Sequence, residues 1–205
     1  MHWQDNNMSI LNIIAPEQFK TIPWKNAKGV TIELAINDGG TLDKFDWRLS
    51  IATVSEDGAF SDFSGYSRNL VLISGNGIDL IHKLPGTQNS TDHLHELLSF
   101  ASFDGSCKTF GRLHSGPITD FNLITRADKY NVSLTTYRDL QKVKLKLTVT
   151  DRCFVYSIFK PAQLATSDPL ERVLKPGHLM KILPEQSEQL SITGEDFIII
   201  TLSLK

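Results

Sequence analysis

Apolar and polar residues alternate with a period of two along much of the chain. From Val30 to Ile36 apolar side chains occupy every second position, and Thr31, Glu33 and Ala35 lie between them. This alternation is typical of a β-strand with one buried face. Similar short runs occur at residues 47–54, 69–73, 78–84, 132–137, 143–149, 154–159 and 197–204, separated by clusters of Gly, Pro, Asn and Asp. Many short strands joined by such turns predict an all-β protein built as a sandwich or barrel.

Helical signals are scarce. The best lies at residues 90–98, where Asp92 can cap a short helical turn ahead of Leu94. No segment has the long amphipathic pattern that a parallel βαβ unit needs, so a Rossmann-like fold is excluded. The least structured stretch, residues 107–118, lies near the midpoint of the chain. We therefore predict a polar leader at residues 1–9 followed by two β lobes, at residues 10–115 and 116–205.

Composition narrows the choice of partners. The chain has 205 residues, 40% of them hydrophobic, enough for one sizeable core or two small ones. The 21 basic and 23 acidic side chains nearly cancel and form no run of like charges, so we expect neither nucleic acid nor a membrane surface as a partner. The composition is compatible with either a monomer or a homodimer. The only cysteines, Cys107 and Cys153, are expected to be packed, reduced thiols.

The first residues of the sequence do not lead us to expect export. Residues 1–7 lack a cationic patch followed by an apolar stretch. No apolar segment approaches the roughly 20 residues that cross a bilayer as a helix. We therefore expect a cytoplasmic protein.

Polar groups in the first third of the chain share strand faces. Thr31 and Glu33 lie on one face of a predicted strand, as do Arg48 and Ser50 on another. If that face lines a barrel interior, the four side chains form part of a polar pocket. If it faces water, they are only the solvated side of a sandwich. The sequence leaves both readings open.

A pocket of this kind would suit a small anion that carries a carboxylate. Arg48 and Arg68 can each offer a planar pair of donors to a carboxylate. Asn26, Thr31 and Ser61 can bond amide or hydroxyl groups. Glu33 could orient an arginine or accept a proton, or it could simply form a structural ion pair with Arg48.

Aromatic residues and a second polar cluster extend the candidate site. Trp24, Trp47, Phe60 and Phe63 either wall the cavity or belong to the ordinary core. Asp120 and Asn122 project to one side of an extended segment. They could reach the same pocket, or they could lie in a loop and bond their own backbone.

These residues fall into an ordered set of motifs that resembles the HutD/Ves family. The matching segments are Pro23 to Glu33, Trp47 to Ala52, Asp57 to Phe63, Arg68, Gly75, Leu80, Phe103 to Gly105, Gly116-Pro117, Asp120 to Asn122 and Arg126. The resemblance is clear over residues 10–130. It departs at Ala27 and Lys28, which stand where the family shows a glycine run, so the ligand's identity is not carried over.

The resemblance implies a fold and a site. The fold is a cupin-like β-barrel or sandwich of the bicupin type, with two β lobes in one compact unit. The implied ligand-binding residues are Trp24, Asn26, Thr31, Glu33, Arg48, Ser50, Ser61, Phe63, Arg68, Asp120 and Asn122. For the HutD branch it also implies an association with histidine utilisation and a role in sensing an intermediate of that pathway.

His93-Leu94-His95-Glu96 is the one motif with the character of a metal site. Many cupins hold a divalent ion with a His-x-His pair and a nearby carboxylate. Here Glu96 follows the pair immediately, and the segment is the one predicted as a helical turn. The other histidines, including His82, His114 and His178, are scattered singly. We therefore expect no metal and no cofactor.

Three functions remain open. The first is a binding or regulatory module for a small carboxylate-bearing metabolite. The second is a metal-independent isomerase or hydrolase that uses Glu33 or Asp120 as a general base. The third is a purely structural role, which predicts an exposed apolar patch and no polar cavity.

Overall fold

The structure, a computed structural model, describes residues 10–24, 29–83, 86, 88–166 and 172–205. The regular secondary structure of these residues is almost entirely β-strand, which confirms the predicted fold class. The strands are β1 (Ile10–Ile14), β2 (Lys20–Pro23), β3 (Val30–Ile36), β4 (Trp47–Val54), β5 (Gly58–Ala59), β6 (Tyr66–Ser74), β7 (Ile78–Lys83), β8 (Ser90–Leu94), β9 (Phe100–Asp104), β10 (Lys108–Leu113), β11 (Ile118–Arg126), β12 (Tyr130–Tyr137), β13 (Gln141–Leu147), β14 (Asp151–Ser157), β15 (Ala162–Ala165), β16 (Arg172–Leu174), β17 (Leu179–Leu183), β18 (Glu188–Gly194) and β19 (Phe197–Leu204), with a 3₁₀ turn at Pro16–Gln18.

The chain forms two units. The first unit contains Phe19–Tyr130, and the second contains the described residues up to Gln18 together with Asn131–Lys205. This division does not coincide with the boundary expected after residue 115. The reason is that β11 hydrogen-bonds to β4 on one side and to β6 on the other, so it belongs to the first unit.

Two antiparallel sheets build the first unit. One has the strand order β2-β3-β4-β11-β6-β9 and the other β5-β10-β7-β8. Leu70 and Leu72 of the larger sheet share a core cluster with Ile78 and Leu80 of the smaller one. Because β-strand side chains alternate between faces, polar residues in register with this core point inward as well. The candidate site is formed by these inward-pointing polar residues of the first unit.

The second unit repeats the two-sheet construction. Its sheets have the orders β1-β17-β14-β19-β12 and β13-β18-β15-β16. The core includes Val155 of β14, Leu164 of β15, Ile192 of β18 and Phe197 of β19, all almost fully buried. Among the described residues, no helix is long and apolar enough to span a membrane.

Two secondary-structure predictions are wrong. Residues 107–118, expected to be the least structured stretch, contain strand β10, which pairs with β5 and β7. Ser90–Leu94, expected to begin a helical turn, is strand β8 and pairs antiparallel with β7 from Ile78↔Leu94 to His82↔Ser90. Leu94 packs in the core of the first unit. Pairing and burial therefore override the local capping signal at Asp92.

Candidate ligand-binding site

A cavity of about 730 Å³ lies in the first unit, along the inner face of the six-stranded sheet. That volume is within the range of small-metabolite pockets. The cavity is lined by most of the residues predicted from the sequence: Trp24, Thr31, Arg48, Ser50, Ser61, Phe63, Arg68, Asp120 and Asn122. Of the two readings of the polar strand faces, the structure shows the inward one.

The register of β11 explains why distant residues meet. Asn122 is the cross-strand partner of Ser50 on β4, and Ile124 is the partner of both Arg48 and Arg68. Cross-strand partners project to the same side of a sheet. Strands separated in sequence therefore bring their polar side chains to one inner face. Asp120 and Asn122 lie on a strand and not in a loop.

Arg68 is a buried cation among aromatic rings. Its guanidinium carbon lies 5.2 Å from the ring centroids of Phe60, Phe63 and Phe103. Its Nη1 donates to the backbone oxygen of Ser61 at 3.2 Å, while its Nε has no hydrogen-bond partner among the described residues. Burial lowers the pKa of Arg68 to about 10, although the nearby charge of Asp120 acts to raise it. The side chain therefore stays charged at neutral pH with one donor unused.

Asp120 is fully buried beside it. Its Oδ1 accepts a hydrogen bond from Nδ2 of Asn122, and its Oδ2 has no partner among the described residues. Burial raises the pKa of Asp120 to about 7, although the Asn122 hydrogen bond and the charge of Arg68 oppose the rise. The carboxyl group is therefore poised between its neutral and charged forms near neutral pH.

Arg48 and Glu33 form an ion pair at the edge of the cavity. Nε of Arg48 donates to Oε2 of Glu33 at 2.8 Å, and both side chains are about nine-tenths buried. Glu33 itself does not line the cavity. The structural ion pair weighed as an alternative is thus present, and Arg48 is the partner that also faces the cavity.

Trp24 closes one side of the cavity through contacts with β3. Its indole Nε1 donates to Oγ1 of Thr31 at 2.8 Å. The ring lies so near Gly29 that a Cβ there would be 3.1 Å from it. A glycine at this position therefore permits the ring to lie against the backbone. Asn26, with Ala27 and Lys28, lies outside the described residues.

Phe63 is fixed from two directions. Its ring contacts Phe45 and Tyr66 edge to face, with centroids 6.2 Å away in both cases. Its backbone nitrogen donates to the oxygen of Gly105 at 2.9 Å. A Cβ at Gly105 would lie 2.2 Å from the backbone oxygen of Phe63, so only glycine fits there.

Several residues around the cavity and Arg68 were not predicted from the sequence. The cavity is also lined by apolar residues such as Ile22, Leu42 and Ile124, and the third ring beside Arg68 is Phe103. Trp47, considered as a wall, is buried and does not line the cavity. Inward alternation on β11 is a signal that could have indicated Ile124. No pattern in the sequence pairs Phe103 with Arg68.

Residues 16–200 match the model of the HutD family, and the chain belongs to that family. It is 36% identical over 129 residues to an uncharacterised 21.2 kDa protein in the hutC 3′ region of Pseudomonas putida, covering 62% of this chain and 64% of that relative. It is 31% identical over 132 residues to the protein Ves of Escherichia fergusonii, covering 64% and 59%. The chain thus spans less than two thirds of the length of these curated relatives.

Solved structures agree with the family assignment. HutD from Pseudomonas fluorescens SBW25, in a formate condition, superimposes with a TM-score of 0.79 and 28% identity, covering 96% of this chain and all of that one. The nickel(II) complex of the pirin YhhW from Escherichia coli gives a TM-score of 0.61 at 7% identity, covering 95% and 99%. The second likeness shows the fold alone, which is cupin-like. The bicupin assignment stays a prediction.

Proposed function

We propose that the cavity binds a small metabolite carrying a carboxylate, without a metal or cofactor. The observation that carries this proposal is the state of Arg68, a charged residue that is only 6% exposed and lines the cavity with an unpartnered Nε. A buried charge whose neighbouring carboxyl, Asp120, is only partly ionised is costly, and a ligand carboxylate would supply an acceptor for the unpartnered Nε. An arginine fork is well suited to that partner.

Asp120 adds a second recognition element. With a pKa of about 7, a substantial fraction of its carboxyl groups are neutral at physiological pH. A neutral carboxyl can donate its proton to a ligand oxygen, and a charged one can accept from a ligand N–H. The unpartnered Oδ2 is therefore suited to an amide or amino group next to the ligand's carboxylate.

The walls of the cavity are also suited to a small metabolite. Rings of Trp24, Phe60 and Phe63 line it together with a few placed polar groups, as in most small-molecule sites. A purely structural role predicts that the protein has no polar cavity, so the presence of this cavity argues against such a role.

Family context suggests the biological setting. One relative lies in the hutC 3′ region, and another is named HutD. We extend this to a regulatory role in histidine utilisation, exercised in the cytoplasm by a protein that does not bind nucleic acid or membranes. A homodimer is compatible with this role.

Calorimetry tests the binding proposal. Formylglutamate and urocanate are titrated into wild type, into Arg68→Met, which removes the charge while keeping most of the volume, and into Arg126→Gln as a matched control. Arg126 is an exposed arginine paired with Asp128 and does not line the cavity.

We expect wild type and Arg126→Gln to bind alike. Arg68→Met should lose at least about tenfold in affinity, because a hydrogen bond to a charged group contributes about 1.5–3 kcal/mol. Circular dichroism and thermal unfolding check that each variant is folded. Equal affinity of wild type and folded Arg68→Met, or no binding of either compound, would contradict the proposal.

A metal-independent isomerase or hydrolase is the second candidate. The raised pKa and free oxygen of Asp120 favour it as the general base, whereas Glu33 is engaged by Arg48. Nuclear magnetic resonance can follow both compounds incubated with wild type and Asp120→Asn. Turnover by wild type that disappears in folded Asp120→Asn supports catalysis, and no turnover by wild type contradicts it for these substrates.

A further inference from the structure

Asp79 lies outside the cavity, on the outer face of the four-stranded sheet of the first unit. Its neighbours on β7, Ile78 and Leu80, point into the core, so alternation directs Asp79 to the opposite face. Its cross-strand partners are His93 on β8 and Arg112 on β10. Register alone therefore assembles three polar side chains on this outer face.

Two more histidines follow directly after these strands. His95 comes after β8 and His114 after β10, and the backbone nitrogen of His114 donates to the oxygen of Gly77 at 3.1 Å. Gly77 has a φ of +113°, and a Cβ there would lie 2.9 Å from the carbonyl oxygen of Leu94 and 3.3 Å from Cα of His95. Glycine at this position permits the close approach of the two imidazoles, whose ring centroids are 4.1 Å apart.

All three imidazoles converge on one carboxylate oxygen. Oδ1 of Asp79 lies 2.7 Å from Nδ1 of His93. It also lies 3.1 Å from Nε2 of His95 and 3.0 Å from Nε2 of His114. Because a carboxylate oxygen has about two lone-pair positions, three ring N–H groups exceed what it can accept well. A cation at this point would instead receive a lone pair from each nitrogen and from the oxygen.

We infer that the Asp79–histidine cluster, which consists of Asp79, His93, His95 and His114, binds one divalent transition-metal ion. Imidazole and carboxylate ligands suit ions such as Zn²⁺ in a tetrahedral site. Ligand atoms of Asp79, His93 and His95 already lie within 4.8 Å of one another. Tetrahedral ligands at about 2.1 Å from zinc are separated by about 3.4 Å, so modest side-chain rotations close the site.

The surroundings of the cluster favour metal entry. The imidazoles of His93 and His95 are about half exposed, which leaves an entry path and freedom to rotate. Arg112 Nη2 donates to Oδ2 of Asp79 at 2.8 Å, so the other carboxylate oxygen remains directed at the histidines. Hydrogen bonds of this kind orient metal ligands in known sites.

This inference replaces the expectation that His93 and His95 bind no metal. That expectation rested on the position of Glu96 and on a predicted helical turn, whereas Ser90–Leu94, which includes His93, is a β-strand. It also treated His114 as isolated. None of the four cluster residues lines the cavity, so metal binding stands independently of the proposed carboxylate ligand.

Zinc titration of the chelator-treated full chain tests the inference. Calorimetry with ZnCl₂ gives stoichiometry and affinity, and titration with CoCl₂ gives the visible absorption of tetrahedral Co²⁺. The variants are His95→Ala, which changes a half-exposed side chain, and Asp79→Asn. The matched control is His178→Ala, which removes a partly exposed histidine of the second unit.

We expect one ion per chain for wild type and His178→Ala. His95→Ala and Asp79→Asn should each lower the affinity at least about tenfold, since even residues that only orient ligands cost that much when changed. Loss of the Co²⁺ absorption in His95→Ala would accompany this. The inference is overturned if wild type binds no zinc, or if folded His95→Ala binds it as wild type does. Unchanged zinc affinity in Arg68→Met separates this result from the carboxylate proposal.

Discussion

Replacement of Asp120 by asparagine should change the pH dependence of stability in a defined direction. The carboxyl is fully buried, and burial raises its pKa from the ordinary 3.8 to about 7. Below pH 4 both the folded and the unfolded chain are protonated at this position, so it imposes no cost. As the pH rises towards 7, the unfolded chain ionises first, and the free energy of unfolding falls until the folded carboxyl ionises as well.

The raised pKa of Asp120 sets the size of this loss of stability. A folded-state pKa of about 7 against 3.8 corresponds to about 4 kcal/mol of destabilisation above pH 7. Asp120→Asn abolishes this cost. The amide has the shape of the neutral carboxyl, it can still accept the hydrogen bond from Asn122, and it likewise leaves one polar group without a partner. The two proteins should therefore have similar stability at low pH.

Urea unfolding at pH 5 and pH 8 measures the effect. The stability of Asp120→Asn relative to wild type should rise by about 3 kcal/mol between these two values. Asp104→Asn is the matched control, because hydrogen bonds from Ser106 lower the pKa of this exposed carboxyl. Its stability relative to wild type should not change over the same interval. An Asp120→Asn difference that is equal at both values, or larger at pH 5, would refute the reasoning.

Three further predictions concern stability and reactivity. Glu33→Gln leaves Arg48 as an uncompensated, largely buried charge, and urea unfolding should show a loss of about 3 kcal/mol. A change of no more than about 0.5 kcal/mol, which is typical of a surface substitution, would contradict this. Gly105→Ala drives a Cβ against the backbone oxygen of Phe63, so its melting temperature should fall, as for other overpacked sites, by an amount equivalent to about 1–3 kcal/mol. Cys153 is fully buried and its pKa is raised to about 12, so a thiol reagent should modify only the other cysteine until denaturant is added; rapid native labelling of both would oppose this.

The strand pattern was readable from the sequence wherever one face of a strand is buried. The observed bounds of β3, β4 and β19 coincide with the segments predicted from alternation. The inward direction of the polar residues was left open, because alternation separates two faces without showing which one is inside. β8 was misread because capping residues are local signals, whereas its pairing with β7 depends on residues elsewhere in the chain.

The candidate site was predictable only in part for a related physical reason. Motif residues such as Arg48 and Asn122 were named because their chemistry is unusual for strand positions. The burial of Asp120, the ring of Phe103 beside Arg68, and the convergence on Asp79 all depend on the register between strands far apart in sequence. Composition and periodicity contain no information about that register.

A crystal structure with formylglutamate tests the central claim most directly. We expect a ligand carboxylate inside the cavity, with an oxygen at about 2.7–3.2 Å from a guanidinium nitrogen of Arg68. The aromatic side chains should enclose the rest of the molecule. Ligand density only outside the cavity, or a bound carboxylate that leaves Arg68 Nε and both Nη atoms without contact, would contradict the account.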